Sequence, residues 1–155
     1  MKLIYRKGDL LASSLRFIVH GCNAQGVMGS GIALAIRQTY PKAFQDYRDV
    51  YDLSGLKAGQ TIWSDVGDRV VINAVTQEFY GRDPNVVYVS YDGIRAAIRA
   101  INESAIIRKN LLDGLEPQMV GFPQIGAGLG NGDWAIIEAI IEEESTHFQP
   151  VIYQL

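Results

Sequence analysis

The chain is poor in the residues that build most cofactor and metal sites. Its 155 residues include one cysteine, Cys22, and two histidines, His20 and His147. A single cysteine forms no internal disulfide, and this set cannot complete a Cys/His zinc site, although a carboxylate-rich metal site is not excluded by the count. Cations are not in surplus either: Lys plus Arg is 14 against 17 Asp plus Glu, a net charge of −3. Binding nucleic acid without sequence preference needs surplus cations to neutralise phosphates, and a polybasic membrane anchor needs them too; both are excluded. No apolar run approaches the roughly 20 residues that span a bilayer. Met1-Lys2-Leu3-Ile4-Tyr5-Arg6-Lys7 is too charged and too short for a signal-peptide core, so a cytoplasmic location is expected. The triplet Asn102-Glu103-Ser104 falls in an expected helix and reads as a chance sequon.

What remains is an ordinary globular composition, 48% apolar and 20% charged. The length suits one domain over residues 1–155 with a real core. Strand-like and helix-like segments alternate. Leu3–Tyr5, Leu15–His20, Thr61–Trp63, Arg69–Ala74, Met119–Phe122 and Val151–Tyr153 read as strands. Helices are expected from Ile32 to Gln38, from Pro41 to Tyr51, from Ser90 to Lys109 and from Asp133 to Glu144. In the third, Ile94, Ala97, Ile98, Ile101 and Ala105 recur every three or four residues and make one apolar face. The alternation predicts an α/β fold, a mixed and mostly parallel sheet with helices on both faces. Ligands of such folds bind where strands lead into helices at their carboxyl ends.

Two glycine-rich stretches fall at that position. Residues 26–31 and 126–132 hold 7 of the 16 glycines. Glycine lets the backbone come close to a ligand, and consecutive amides can converge on an anion. A helix following each stretch adds the partial positive charge of its N-terminus. Two facing loops of this kind would grip two linked phosphates without a lysine. The alternative is that the glycines only permit tight strand-to-helix turns. Standard nucleotide fingerprints fail: Gly31 is followed by Ile32 where a P-loop has lysine, and Leu34 and Asn131 stand where a dinucleotide fingerprint needs Gly or Ala.

Gly8-Asp9-Leu10, His20-Gly21-Cys22-Asn23, Gly26-Val27-Met28-Gly29-Ser30-Gly31-Ile32-Ala33 and Gln124-Ile125-Gly126-Ala127-Gly128-Leu129 together resemble the ADP-ribose-binding macrodomains. The similarity is strongest to the branch holding ADP-ribose 1″-phosphate phosphatases and terminal ADP-ribose glycohydrolases. It implies a three-layer α/β/α fold and ADP-ribose as ligand, with no cofactor and no metal. By that resemblance Asp9 accepts from the adenine amino group with Leu10 beside it, and Asn23 lies near the distal ribose. Gly26, Gly29, Ser30, Gly31 and Ile32 belong to the first phosphate loop, and Gly126, Ala127, Gly128 and Leu129, entered through Gln124 and Ile125, to the second. Met28 becomes a wall of the site, and Tyr80 a ring that could stack on ribose or adenine.

His20 is the expected acid or base, with a pKa ordinarily near 6.5, and Asp133 could orient water beside the distal ribose. Each has a plainer alternative: a hydrogen-bonded structural histidine at 20, a helix cap at Asp133, a turn or cap at Asp9, core packing at Met28. His147 reads as a surface residue. Three departures stand out. Gln77 occupies the place of the glycohydrolase lysine, Gly130 the place of the aspartate after Gly-x-Gly-Leu, and Asn23-Ala24-Gln25 replaces an Asn-Ala-Ala-Asn motif. The leading expectation is therefore hydrolysis of ADP-ribose 1″-phosphate. The alternatives are removal of ADP-ribose from protein or nucleic acid, and ADP-ribose binding without turnover.

Overall fold

The computed structural model describes all 155 residues. Its strands are β1 (Ile4–Lys7), β2 (Phe17–Asn23), β3 (Thr61–Asp65), β4 (Val70–Gln77), β5 (Gln118–Phe122) and β6 (Phe148–Gln154). Its helices are α1 (Gly31–Thr39), α2 (Pro41–Ser54), α3 (Tyr91–Glu103), α4 (Ala105–Leu112) and α5 (Trp134–Glu144), with a short 3-10 turn at Leu10–Ala12. The strands form one sheet in the order β1-β6-β5-β2-β4-β3. All neighbours are parallel except β3, which returns antiparallel to β4 through the turn at Gly67 and Asp68.

The central strands are apolar on both sides, as strands covered on two faces must be. Phe17 and Val19 of β2, with Val70, Ile72 and Ala74 of β4, face a large core closed by Ile94, Ala97, Ile98 and Ile101 of α3, Ile107 of α4 and Ile137, Ile140 and Ile141 of α5. Alternation turns Ile18 of β2 and Val71 of β4 to the other face, against Ile36 of α1 and Ala43 of α2. Further along that face Cys22 and Val75 pack on Met28 and Tyr47. The molecule is thus a three-layer α/β/α sandwich with a mixed, mostly parallel sheet. A buried guanidinium pins one corner: Arg69 donates to the carbonyls of Leu11, Ser13 and Leu15 and to the Tyr40 hydroxyl.

The expected single helix from Ser90 to Lys109 is two helices. Ser104 is extended, at φ −64° and ψ 131°. Side-chain and backbone groups of Asn102 are taken by the two residues that precede β6: its Oδ1 accepts from the His147 amide at 2.7 Å, its Nδ2 donates to Thr146 Oγ1 at 2.8 Å, and its carbonyl oxygen lies 3.0 Å from His147 Nδ1. Those tertiary bonds turn the chain, so Ala105 leaves the apolar face and is exposed. His147, expected at the surface, is half-buried in this joint.

Candidate functional site

The carboxyl ends of β2, β4 and β5 open into a cavity of about 540 Å³, lined by residues from four segments: 21–23, 27–33, 76–82 and 123–130. The first glycine loop is built around Asn23. Its Oδ1 accepts from the Gln25 amide at 2.9 Å and the Tyr47 hydroxyl at 2.9 Å, and its Nδ2 donates to the Val27 carbonyl at 2.8 Å. The Tyr47 hydroxyl in turn accepts from the Val27 amide at 3.1 Å. This small network fixes the loop from below, and burial pushes the Tyr47 phenol well above its ordinary value. The loop then delivers α1 with an open N-terminus. Ser30 makes no side-chain cap. The amides of Gly31, Ile32 and Ala33 find no partner within the chain, as first-turn amides require one from outside the helix.

The second glycine loop folds on itself. Gly126 adopts φ +76°, and its carbonyl accepts from the Gly132 amide at 2.8 Å. The Gly130 carbonyl accepts from the Tyr88 and Val89 amides at 2.9 and 3.1 Å, and Asn131 Nδ2 donates to the Asp83 and Val86 carbonyls. These bonds strap the rim segment bearing Tyr80 and Arg82 to the loop. The amides of Gly128, Leu129 and Gly130 make no hydrogen bond within the chain. The loops nearly touch, since a Cβ placed on Gly31 would sit 3.6 Å from Leu129 Cδ1. Two clusters of unpaired N–H groups therefore border one cavity, and the α1 dipole adds positive potential there.

Side-chain charge is scarce in the lining. No Asp, Glu, His or Lys borders the cavity; its titratable groups are Arg82, Tyr80 and Cys22. Burial pushes the Cys22 thiol far up, so it stays protonated. Nowhere in the chain do three His, Cys, Asp or Glu residues gather as metal ligands. The arrangement can hold an anion by backbone amides. It offers no carboxylate, imidazole or amine as base or nucleophile.

Of the residues singled out in the sequence, Asn23, Gly29, Ser30, Gly31, Ile32, Gln124, Ile125, Gly126, Gly128 and Leu129 border the cavity together, as does Tyr80 at its rim. Seven do not. His20 is the principal correction: it is fully buried on the α2 side of β2, with Nε2 2.6 Å from Asn73 Oδ1. Asn73 Nδ2 is spent on the carbonyls of Ala43 and Ile62, so Oδ1 is the acceptor and His20 Nε2 carries the proton. Burial drives its pKa down to about 4, partly opposed by the Asn73 bond. A sealed neutral imidazole cannot exchange protons with a ligand in the cavity. Asp133 caps α5 by accepting from the Ala135 amide at 2.9 Å. Asp9 caps the 3-10 turn by accepting from the Leu11 amide at 2.9 Å. Leu10 and Met28 are core residues. Gly26 packs against the Tyr51 ring and gives its carbonyl to Arg48. The Ala127 amide is spent on the Gln124 carbonyl.

The lining also includes Thr76, Gly81, Arg82 and Pro123, which the sequence motifs do not cover; Gly21, Cys22, Val27 and Ala33, which stand in the motifs with no role of their own; and Gln77 and Gly130, noted only as departures. Position was the available signal, because Thr76 and Gln77 end a strand beside the one carrying Asn23.

Comparison with known proteins agrees with this geometry. The Macro domain family model matches residues 19–141. An ADP-ribose 1″-phosphate phosphatase of Saccharomyces cerevisiae is 26% identical, with 99% of this chain and 98% of that protein covered. A DNA ADP-ribosyl glycohydrolase of Mycobacterium tuberculosis is 29% identical over 88% of this chain, and the match spans only 36% of that longer protein. Among solved structures, the macrodomain of Mycobacterium tuberculosis DarG superposes with a TM-score of 0.78 at 27% identity, covering 99% of this chain and 97% of that one. With paired amide loops at the carboxyl edge of an α/β/α sandwich and a family match across most of its length, the chain belongs to the macrodomain family.

Proposed function

We propose that this macrodomain binds ADP-ribose in the cavity between its two glycine loops and hydrolyses ADP-ribose 1″-phosphate to ADP-ribose and phosphate. The observation that carries the reading is the convergence of unpaired amides from Gly31–Ala33 and Gly128–Gly130 on one cavity. A diphosphate is an acceptor-only dianion and answers such donors directly. The full-length similarity to the yeast phosphatase supports the same substrate class.

The lining favours the first of two chemistries. Phosphoryl transfer passes through a loose transition state and asks the protein for positioning and charge stabilisation more than for a base. Water attacks phosphorus and the bond from phosphorus to the anomeric oxygen breaks. The attacking water gives up a proton to solvent and the anomeric oxygen takes one up as it leaves, so the products are ADP-ribose and inorganic phosphate. The unpaired backbone donors of the two loops are placed to stabilise the charge on the transferring phosphoryl group. Glycosidic cleavage ordinarily needs paired carboxylates or a covalent nucleophile. Here Gln77 and Gly130 line the cavity, and by the resemblance they take the places of the glycohydrolase lysine and aspartate. Removal of ADP-ribose from a macromolecule is the second reading, favoured by the mycobacterial relative.

The test is calorimetric titration with ADP-ribose, ADP and AMP, followed by phosphate release from ADP-ribose 1″-phosphate. Micromolar ADP-ribose binding, about −8 kcal/mol, with far weaker AMP binding and measurable phosphate release, is the expected result. No ADP-ribose binding overturns the reading. Binding without phosphate release, but with ADP-ribose freed from modified DNA or protein, transfers it to the second.

A further inference from the structure

Every arginine but one has a partner within the chain. Four lie in ion pairs with carboxylates. Arg69 is taken by backbone carbonyls, Arg6 donates to the Tyr153 hydroxyl, and Arg16 and Arg37 lie over phenylalanine rings. Arg82 makes no ion pair, donates no side-chain hydrogen bond and covers no ring. The carboxylates nearest to it in the chain hold backbone amides instead: Asp83 Oδ1 accepts from the Asn85 amide at 2.9 Å, and Glu78 Oε1 from the Ala58 amide at 2.9 Å. Arg82 is also the one Lys or Arg that borders the cavity.

The backbone around this guanidinium is tied down. The Asp83 amide donates to the Tyr88 hydroxyl at 3.1 Å, and the Asp83 and Val86 carbonyls accept from Asn131 Nδ2 at 3.0 and 2.8 Å. A Cβ on Gly81 would overlap the Tyr88 hydroxyl, so the residue before Arg82 has to be glycine for the turn to close. Asn131 itself holds φ +57°, the only residue other than glycine in the left-handed region. The fold therefore fixes the chain on both sides of Arg82 at the cavity mouth, yet leaves the side chain exposed and without a partner.

The amides of Gly31–Ala33 and Gly128–Gly130 can answer two linked phosphates with no side-chain charge. A further anionic group would need a charged donor, and the lining holds one. We propose that Arg82 takes a phosphate group attached beyond the terminal ribose of ADP-ribose, and so makes the cavity favour phosphate-bearing forms of ADP-ribose over ADP-ribose itself. The proposal rests on the ADP-ribose reading above and adds the residue that reads the extra phosphate. A guanidinium presents a planar fork of N–H donors that matches phosphate oxygens in pairs, and it stays charged at any working pH. A net charge of −3 gives no broad positive field, so a preference for added negative charge has to come from a local cation. A phosphate monoester and the backbone phosphate of an ADP-ribosylated oligonucleotide offer the same oxygens to that fork. Arg82 is a specificity-determining residue: it binds and orients the group and moves no proton.

The experiment compares wild type, Arg82→Gln and Arg82→Lys on ADP-ribose, ADP-ribose 1″-phosphate and an ADP-ribosylated DNA oligonucleotide. Dissociation constants are measured by calorimetry, and kcat/KM where a ligand is turned over. The side chain is exposed, so both variants should melt with wild type. Arg82→Gln should weaken at least one phosphate-bearing ligand about tenfold while ADP-ribose changes by less than about twofold. The salt dependence of the weakened ligand should flatten with it. Arg82→Lys should restore part of the loss, because it returns the charge without the fork. A loss confined to ADP-ribose 1″-phosphate identifies a monoester as the group read, a loss confined to the oligonucleotide identifies a nucleic-acid phosphate, and a loss on both shows that Arg82 serves either. Unchanged binding of both phosphate-bearing ligands in Arg82→Gln, or an equal loss for ADP-ribose, overturns the proposal and leaves ADP-ribose binding standing. Wild-type protein that binds none of the three removes both.

Discussion

His20 gives a quantitative test of how the sheet is packed. Its imidazole is sealed between β2 and α2, donates to Asn73 Oδ1, and has the Cys22 sulfur 3.6 Å from Nε2. Desolvation holds its folded-state pKa at about 4, against 6.5 for an exposed histidine. The folded value is the lower one, so between these limits the unfolded chain binds the extra proton. Stability is then lost as pH falls through about 6.5, and the loss is complete below about 4. One pKa unit is worth about 1.4 kcal/mol. Around pH 4.5 the histidine alone should therefore cost roughly 2.5 kcal/mol relative to pH 7.5. That is a large part of an ordinary stability of about 5–15 kcal/mol.

Urea unfolding at about pH 7.5 and pH 4.5, on wild type and His20→Gln, isolates the effect, because the carboxylates titrate alike in both proteins. The variant should lose roughly 2.5 kcal/mol less than wild type over that interval. It should also keep its ADP-ribose affinity, since the ring does not reach the cavity. An identical pH loss in the two proteins refutes the buried neutral imidazole. A collapse of affinity in a folded variant returns His20 to the site.

Two further outcomes can be checked directly. Gly128→Val should leave the melting temperature nearly unchanged, because a Cβ there meets nothing within 4 Å; ADP-ribose affinity should fall by more than tenfold in calorimetry, because the new side chain stands where the ligand meets the amides. Arg69→Met should destabilise the protein by about 2 kcal/mol in urea unfolding, because the half-buried carbonyls of Leu11, Ser13 and Leu15 lose their charged donor.

Much of this molecule is readable from its sequence. The strands and helices follow from apolar runs and from the three-and-four spacing in α3. Pro41 and the caps at Ser90 and Asp133 mark three helix starts. The limits are just as physical. The break at Ser104 depends on Asn102 bonding to Thr146 and His147, 44 and 45 residues away, which no local pattern records. Strand β6 begins at Phe148, earlier than expected, because Pro150 discourages a strand reading there although it pairs in register with Val120. At His20 the difficulty is depth along the strand. Cys22, on the same side of β2, reaches the cavity, whereas His20 lies two residues further from the carboxyl end and is covered by Asn73 and α2, a depth that alternation alone does not give. Asp9 and Asp133 show a related ambiguity, since a carboxylate before a turn or helix serves a cap as well as a ligand.

The glycines separate folding requirements from ligand requirements. Gly126 is held at φ +76°, and a Cβ on it would meet Val89 Cγ2 at 2.8 Å, so folding alone demands glycine there. Gly132 would strike Val89 and Ile137, and Gly26 the Tyr51 ring. Gly21 would strike Thr76 Oγ1, and Gly130 the Gly126 carbonyl. Gly128 fits none of these cases. Its φ is not positive, no atom lies within 4 Å of a Cβ there, and its amide is unpaired at the cavity edge. Helix capping and turn geometry give no reason for glycine at this position, and an ordinary side chain would reduce the chain entropy lost on folding. The remaining reason is close approach of a ligand to the backbone. One glycine that the fold does not need therefore says more about anion binding than the glycine density of the two loops taken together.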